Sequence, residues 1–290
     1  MVRHFKWYQT RRRSGDGQCL PSAEIKRADC AQAFLRSAGG YPQDTGQPTR
    51  EGQHGGVCHR RPPRGGLDIQ KLRDWEAGER LTRSDFLIVS GDFGCPWDFS
   101  PEECEEVAWL ESRPYTLLFV DGNHERYDHW AERPYEEWHG GMTQRLSPDS
   151  PIRRLCRGEV FDLGGASIFT MGGATSVDRD WRHPYIDWWP MELPDEQNFV
   201  QAREHLATAD WQIDYVITHT CASRMLATTL FPAPNCENPG TDRLTDFLDE
   251  LEGRLAYKRW YYGHFHRDVD EKHVALYDNI VALGAGSDSW

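Results

Sequence analysis

The sequence predicts an α/β protein in which strands of a layered sheet alternate with helices. Two apolar runs, at residues 85–90 and 115–120, have the length of buried strands, and a helix pattern at residues 101–112 lies between them. Alternation of strand, helix and strand is typical of an α/β layered sheet. With 38% hydrophobic residues and 12 Trp, the 290-residue chain has enough apolar surface for a packed core.

The remaining elements follow from local signals. Residues 68–75 predict a short helix capped by Asp68, and a Pro at the start with an acidic first turn marks the 101–112 helix. Further helices are predicted at residues 195–208 and 241–251. Further strands are predicted at residues 166–171, 214–218, 259–262 and 279–283. The Trp- and Pro-rich residues 180–194 predict a rigid surface loop that borders a site.

The first 64 residues differ in character from the rest. They carry no sustained apolar period and are dense in Arg, Gly, Gln and Pro, which predicts a segment of low order. We therefore divide the chain into a basic segment, residues 1–64, and a domain, residues 65–290. Residues 1–66 hold 12 Lys and Arg against 5 Asp and Glu, and the remainder holds 21 against 41. The net negative charge of residues 67–290 argues against binding of polymeric nucleic acid.

Cysteine usage and hydropathy bear on the compartment. The 8 Cys are scattered without a C-x-x-C pair, which is typical of reduced thiols in a cytoplasmic protein and argues against zinc sites made of thiolates. No run of 18 apolar residues predicts a membrane span, and the basic residues near the N-terminus precede no apolar stretch of the secretory kind. The prediction is a cytoplasmic protein without a membrane partner.

Four polar clusters follow four apolar strands and carry the chemistry. They are Gly91-Asp92, Gly122-Asn123-His124-Glu125, Thr218-His219-Thr220 and Gly263-His264-Phe265-His266. Loops at the carboxyl ends of strands meet in one crevice of an open α/β sheet. Three imidazoles, one carboxylate and one amide there suit Mn, Fe or Zn better than Mg or Ca.

Each cluster alone has a simpler interpretation. A Gly-Asp pair after a strand is usually a turn or a helix cap, and a single His such as His219 is more often a core or surface residue. Gly263-His-Phe-His266 needs an irregular turn, because alternate residues of an extended segment point to opposite faces. The occurrence of all four clusters in this order, each at a strand end, favours one joint metal site.

In this order the clusters resemble those of the calcineurin-like metallophosphoesterases, over about residues 65–287. The stretches at residues 172–178 and 188–194 also resemble a bacterial and phage-associated branch of that family. The resemblance implies a four-layer α/β/β/α sandwich with two divalent metal ions, Mn first and Fe or Zn as alternatives. It implies that Asp92 bridges both ions, and that His124 is catalytic and faces the leaving group. It implies that Asn123, His219 and His264 complete one metal site and that His266 belongs to the other.

The family's first motif, a strand followed by Asp-x-His-Gly, is missing. No Asp-x-His occurs upstream of Asp92, and residues 61–64, Arg-Pro-Pro-Arg, stand where it is expected. If the codons of residues 57–64 are read in a frame shifted by one nucleotide, they can encode β-forming residues followed by Gly-Asp-x-His-Gly. We hypothesise that residues 1–64 are a frame-shifted or mis-started translation. The alternative is a genuine extension on a degenerate enzyme.

The predicted function is hydrolysis of a small phosphate ester, a monoester or a small diester, by a binuclear metal centre in which Asp92 and His124 are catalytic. Two metal ions can share a hydroxide and neutralise phosphoryl oxygens during in-line attack. The first alternative is a catalytically impaired or dead binding protein that keeps the fold. A nuclease is a second, disfavoured by the net negative charge of residues 67–290. Asp178, Arg179 and Arg182 are predicted to form a surface ion pair, with phosphate contact as the alternative.

Overall fold

A computed structural model of the chain describes residues 69–226 and 241–283. The segment predicted to be of low order, its boundary at residue 64 and the Asp68 cap lie outside the described residues. The described helices are α1 Ile69–Arg73, α2 Pro101–Glu111, α3 Tyr127–Ala131, α4 Glu196–Thr208, α5 Ser223–Met225 and α6 Arg243–Arg254, with 3₁₀ turns at Glu76–Arg80, Arg179–Trp181 and Pro190–Glu192. The described strands are β1 Phe86–Val89, β2 Thr116–Phe119, β3 Tyr135–Trp138, β4 Gly141–Arg145, β5 Ile152–Leu155, β6 Glu159–Leu163, β7 Ala166–Met171, β8 Gln212–Thr218, β9 Ala256–Tyr262, β10 Val269–Asp270 and β11 His273–Ala275.

The strands form two mixed sheets. In the first, the order is β1-β2-β5-β4-β3, with β1, β2 and β5 parallel and β3 and β4 antiparallel to their neighbours. In the second, the order is β10-β11-β9-β8-β7-β6, with a parallel centre and antiparallel strands at both edges. Parallel neighbouring strands end at the same edge of a sheet. The carboxyl ends of β1 and β2, and those of β8 and β9, therefore lie together, and the four polar clusters follow these ends.

Three apolar clusters hold the sheets and helices together. Strand β2 contributes to two of them because successive side chains of a strand point to opposite faces. Leu117 and Phe119 pack with residues of α1 and α2, and Leu118 packs with residues of the second sheet. On the far face of the second sheet, α4 and α6 contribute to the third cluster, which includes Phe199 and Leu248. The fold is therefore a mixed α/β arrangement in which helices cover the outer faces of two packed sheets.

Most predicted elements are confirmed with small shifts at their ends. Helices α2, α4 and α6 begin after Ser100, Asp195 and Asp242, whose side chains accept backbone N–H groups as caps. The predicted helix at residues 68–75 is shorter, because α1 ends at Arg73 and a separate 3₁₀ turn starts at Glu76. Strands β8 and β9 begin earlier than predicted, at Gln212 and Ala256.

The strand predicted at residues 279–283 is wrong. Residues 279–283 are irregular in the structure, although Ile280 and Val281 pack against apolar clusters. A strand needs a neighbour with which its backbone exchanges hydrogen bonds. Among the described residues no strand pairs with this segment, which lines the same cavity as the edge strand β1. The apolar residues of this segment are therefore explained by burial and not by strand pairing.

A buried ion network at Asp121, directly after β2, ties the first sheet to the following loops. Arg154 Nη2 lies 3.1 Å from Asp121 Oδ1, Arg157 Nε lies 2.7 Å from Oδ2, and the Tyr127 hydroxyl donates to Oδ2. Burial raises the pKa of Asp121, but the two guanidinium groups outweigh burial and hold it at about 2. Asp121 is therefore charged near neutral pH and balances two largely buried arginines.

Asp121→Asn should lower the free energy of unfolding by about 3–5 kcal/mol, because it leaves buried arginine charge without its partner. Denaturant unfolding followed by circular dichroism measures the change. Glu79→Gln is the matched control, since it removes the carboxylate of the exposed pair with Arg113 and should cost no more than about 1 kcal/mol. Equal effects of the two substitutions would contradict the stabilising role of the Asp121 network.

No helix within the described ranges is both long and apolar enough to cross a membrane. Among the described residues, Cys156 and Cys221 are buried and form no disulfide.

Candidate metal centre

Glycines allow two of the polar loops to approach each other closely. Gly91 has a φ of 91°, and a Cβ atom there would stand 2.1 Å from Nδ1 of His219. A Cβ atom on Gly122 would stand 2.1 Å from Oδ1 of Asp92. No side chain fits at either position, so the strand-to-loop turns after β1 and β2 depend on glycine.

The structure brings Asp92, Asn123, His219 and His264 together. Oδ1 of Asn123 lies 3.1 Å from Nε2 of His219 and 3.0 Å from Nδ1 of His264. Oδ1 of Asp92 lies 3.2 Å from the same Nε2 atom of His219. The four side chains are therefore in contact with one another, although they come from two sheets and four separate loops.

Ring nitrogens of His219 and His264 contact oxygen atoms of Asp92 and Asn123. Nδ1 of His219 lies 2.7 Å from the carbonyl oxygen of Ser90, which can only accept, so Nδ1 donates. Burial lowers the pKa of His219, but the charge of Asp92 and its hydrogen bond outweigh burial, so the pKa is raised and the protonated ring donates from Nε2 to Oδ1 of Asp92. Burial and the imidazole of His219 lower the pKa of His264 to about 3, so His264 is neutral near pH 7. A metal ion at this place would need His219 in its neutral form, because neutral imidazole is the metal-binding form.

The donor chemistry fits a divalent metal ion only in part. Within residues 69–226 and 241–283, no three His, Cys, Asp or Glu side chains form a group that could hold an ion by themselves. An ion at this place would depend on the amide oxygen of Asn123 and on further ligands. The hydrogen bond from Nδ1 of His219 to the carbonyl oxygen of Ser90 fixes the orientation of the ring. Metal-binding imidazoles are typically oriented by a hydrogen bond of this kind.

His266 lies farther out than the other predicted ligands. It lines the same cavity as Asp92, His219 and His264, and its ring stacks on Tyr277 with 4.9 Å between the ring centres. Asp92, His264 and His266 all adopt left-handed backbone conformations, with φ of 53°, 69° and 51°. Such conformations cost energy in residues other than glycine and concentrate at functional sites. The role of His266 as a ligand of one ion stays a prediction.

His124 lies at the rim of the cluster. Its backbone N–H donates to Oδ1 of Asp92 at 2.9 Å, and its ring contacts the guanidinium group of Arg182. Burial lowers the pKa of His124, the charge of Asp92 opposes this, and Arg182 lowers it further, with a net decrease. The ring is thus close to Asp92 but is not among the four side chains that converge.

Two positioning groups were missed by the sequence reasoning. The buried carboxylate of Glu125 accepts the backbone N–H groups of Phe93 at 2.8 Å and Gly94 at 3.0 Å, which ties the loop after β1 to the loop after β2. Burial, together with the charge of Asp92, raises the pKa of Glu125 to about 8 despite these hydrogen bonds. The position of Glu125 directly after His124 was the only sequence signal for this role.

The second group, Glu192, is fully buried and acts through Ser176. Oε2 of Glu192 accepts the Ser176 hydroxyl at 2.6 Å, and that hydroxyl accepts Nδ2 of Asn123 at 3.2 Å. The amide oxygen of Asn123 is thereby directed toward His219 and His264. Arg182 and Glu192 lie in the predicted border loop at residues 180–194, and Arg182 touches His124.

A cavity of about 610 Å³ extends from the cluster along β1. In the described part of the chain β1 is the edge of its sheet, and Asp92, His264 and His266 line one end of the cavity. The residues of β1 and residues 276–283 line its length, with Ile168, Ile217 and Tyr261 of the second sheet. The space therefore lies beside an unpaired strand edge and opens onto the candidate metal centre.

Comparison with models of protein families gives a match. The model of the family described as calcineurin-like phosphoesterase matches residues 66–268, which is most of the chain. No curated protein matches the sequence.

Proposed function

Since the chain belongs to the calcineurin-like phosphoesterase family, we propose that it hydrolyses a small phosphate ester with two divalent metal ions held at the crevice of its two sheets. The observation that carries the proposal is the mutual contact of Asp92, Asn123, His219 and His264. These side chains, two with imidazole nitrogens and two with oxygens, lie in the loops that follow four apolar strands. The three apolar clusters support the four-layer α/β/β/α arrangement that the resemblance implies.

The residues have distinct roles in this proposal. Asn123, His219 and His264 would hold one ion, and His266 would bind the other. Asp92 would be a ligand of both ions. The nitrogen and oxygen donors suit Mn, with Fe or Zn as alternatives. Two such ions supply Lewis-acid stabilisation of phosphoryl oxygens and lower the pKa of the attacking water. His124 would deliver a proton from its ring to the departing oxygen. The bacterial and phage-associated branch stays a prediction from residues 172–178 and 188–194.

His219→Ala should lower the affinity for Mn²⁺ by more than about 10-fold, since removal of an outer-shell partner alone typically costs 10–100-fold. The purified chain is stripped with a chelator and titrated with Mn²⁺ in a calorimeter, and hydrolysis of p-nitrophenyl phosphate is followed on the same samples. His183→Ala is the control, because the His183 side chain is 76% exposed and lies 3.7 Å from Asp187. Equal Mn²⁺ affinity in wild type and His219→Ala would remove the basis of the proposed centre.

A second candidate is a binding protein that keeps the fold without turnover. It is favoured by Arg61-Pro-Pro-Arg64 at the place of the first motif and by the incomplete donor group among the described residues. The two candidates differ in metal content. Two ions per chain with Mn²⁺-dependent turnover support the hydrolase, and one ion or none without turnover supports the binding protein.

A further inference from the structure

A buried arginine between β5 and β6 reaches the loop at residues 176–192, which borders the candidate metal centre. The side chain of Arg157 is 7% exposed, and its Nε atom donates to Oδ2 of Asp121 at 2.7 Å. Its Nη2 atom donates to the backbone carbonyl oxygens of Met191 at 2.9 Å and Glu192 at 3.1 Å. One guanidinium group therefore contacts both the carboxylate after β2 and the end of the 176–192 loop.

The balance of buried charge explains why Arg157 needs these carbonyl groups. Asp121 supplies one negative charge, but both Arg154 and Arg157 pair with it. Arg154 has a further acceptor in the side chain of Gln144, which lies 2.8 Å from its Nη1 atom. The further acceptors of Arg157 are the Tyr127 hydroxyl and the two loop carbonyls. A buried charge is stable only when it is paired and hydrogen-bonded, so lifting the loop would take two acceptors from a buried cation.

Hydrogen bonds join the two ends of the loop, so a contact that holds one end also fixes the other. Oε1 and Oε2 of Glu192 accept the backbone N–H and the hydroxyl group of Ser176, at 3.1 and 2.6 Å. The surface ion pair predicted for Arg182 lies within the loop, where its Nη2 atom is 2.8 Å from Oδ2 of Asp178. The Ser176 hydroxyl accepts Nδ2 of Asn123, so the position of the loop sets the orientation of that amide.

A glycine beside Arg157 shows how closely the end of the loop is packed. A Cβ atom on Gly173 would stand 2.4 Å from the carbonyl oxygen of Glu192 and 3.2 Å from Nη2 of Arg157. The backbone N–H of Gly173 also donates to the carbonyl oxygen of Asp121, at 2.6 Å. The Glu192 carbonyl is therefore enclosed between the backbone of Gly173 and the guanidinium group, with no room for a side chain at Gly173.

We propose that Arg157 is a positioning residue: its guanidinium group fixes the 176–192 loop to the first sheet and thereby orients the amide group of Asn123. This inference deepens the proposed function and rests on it for the role of Asn123 as a ligand. Arginine suits the position because its planar fork donates to several acceptors at once, whereas lysine presents a single point charge. The loop is then a fixed wall of the candidate centre and not a mobile lid.

Arg157→Lys tests the inference, since it keeps a positive charge beside Asp121 and removes the fork. Hydrogen exchange of the backbone amides in residues 176–192, measured by mass spectrometry on the full chain, should accelerate by about 10- to 100-fold, the value of one hydrogen bond to a charged group. The side-chain amide of Asn123 should also exchange faster in nuclear magnetic resonance spectra. Arg154→Lys is the matched control, because Arg154 pairs with the same carboxylate but donates to Gln144 instead of the loop. It should leave both exchange rates unchanged.

Gly173→Ala tests the same contact from the other side and serves if Arg157→Lys fails to fold, which thermal unfolding checks. Its methyl group has to displace the Glu192 carbonyl from Arg157, so exchange of the same amides should accelerate. Unchanged loop exchange in either folded variant, or equal acceleration by Arg154→Lys, would overturn the inference. Neither measurement needs a metal ion or turnover, so a lack of hydrolysis would count against the proposed function alone.

Discussion

Replacement of residues 1–64 by a short apolar strand that ends in Gly-Asp-Thr-His should give a chain that binds two divalent ions and hydrolyses phosphate esters. The unmodified chain should bind its first ion weakly and turn over poorly. We expect a rate difference of at least about 10²-fold. Lewis-acid stabilisation by a bound ion is worth several kcal/mol, and each 1.36 kcal/mol is tenfold in rate.

Two physical reasons support this expectation, one from the proposed metal ligands and one from the edge of the first sheet. Without an additional Asp and His, one ion would have only Asp92 and His266, too few for four to six ligands. Strand β1 is also an edge with room beside it, in the cavity of about 610 Å³. The backbone carbonyl groups of Asp85 and Val89 accept hydrogen bonds from residues 116 and 120 at β2. Because backbone groups alternate in direction along a strand, the N–H and C=O groups of Phe86 and Ile88 point away from β2, toward the sheet edge. An added strand would pair with these groups and give residues 279–283 a neighbour.

A matched control separates pairing from metal binding. The same added strand ending in Gly-Asn-Thr-Ala should raise the thermal stability as much but should not restore the second ion. Metal content by plasma mass spectrometry and hydrolysis of p-nitrophenyl phosphate measure the two effects. Two tightly bound ions and full activity in the unmodified chain would contradict the account, and other residues would then have replaced the missing ligands.

His124→Ala should lower the rate of hydrolysis by about 10²- to 10⁴-fold, the usual value of general acid catalysis, while the metal content stays near that of wild type. Its ring lies outside the four converging side chains, and the link to Asp92 is made by the backbone N–H, which alanine keeps. The metal-loaded chain with the added strand is the enzyme in which the effect is measured, since its rate is large enough to follow.

Two comparisons make the result specific. His183→Ala, in the neighbouring loop, should keep its activity because that side chain is exposed. The rate deficit of His124→Ala should be smaller with p-nitrophenyl phosphate than with an alkyl phosphate, because nitrophenolate leaves without a proton. Loss of metal or of the folded state in His124→Ala would show that His124 holds the site together instead of acting on the leaving group.

The elements that sequence reasoning missed are the short helices α3 and α5 and the short strands β3 to β6, β10 and β11. Strand β3 is half exposed and contains Glu136 and Glu137, and β5 contains the charged residues Arg153 and Arg154. Their polar residues hide the alternation on which strand prediction depends. These strands are held by pairing with their neighbours and by the ion network of Asp121, which are contacts between distant parts of the chain.

The sequence by itself determined the α/β class, the four strand ends and the residue types at the candidate metal centre. This follows because apolar runs, glycine turns and helix caps act over a few residues. Only the tertiary structure decided that Asn123, His219 and His264 touch, and that Arg182 and Glu192 join them. It also decided that residues 279–283 do not form a strand. Side-chain contacts and strand pairing depend on how separate segments pack, and no local pattern carries that information.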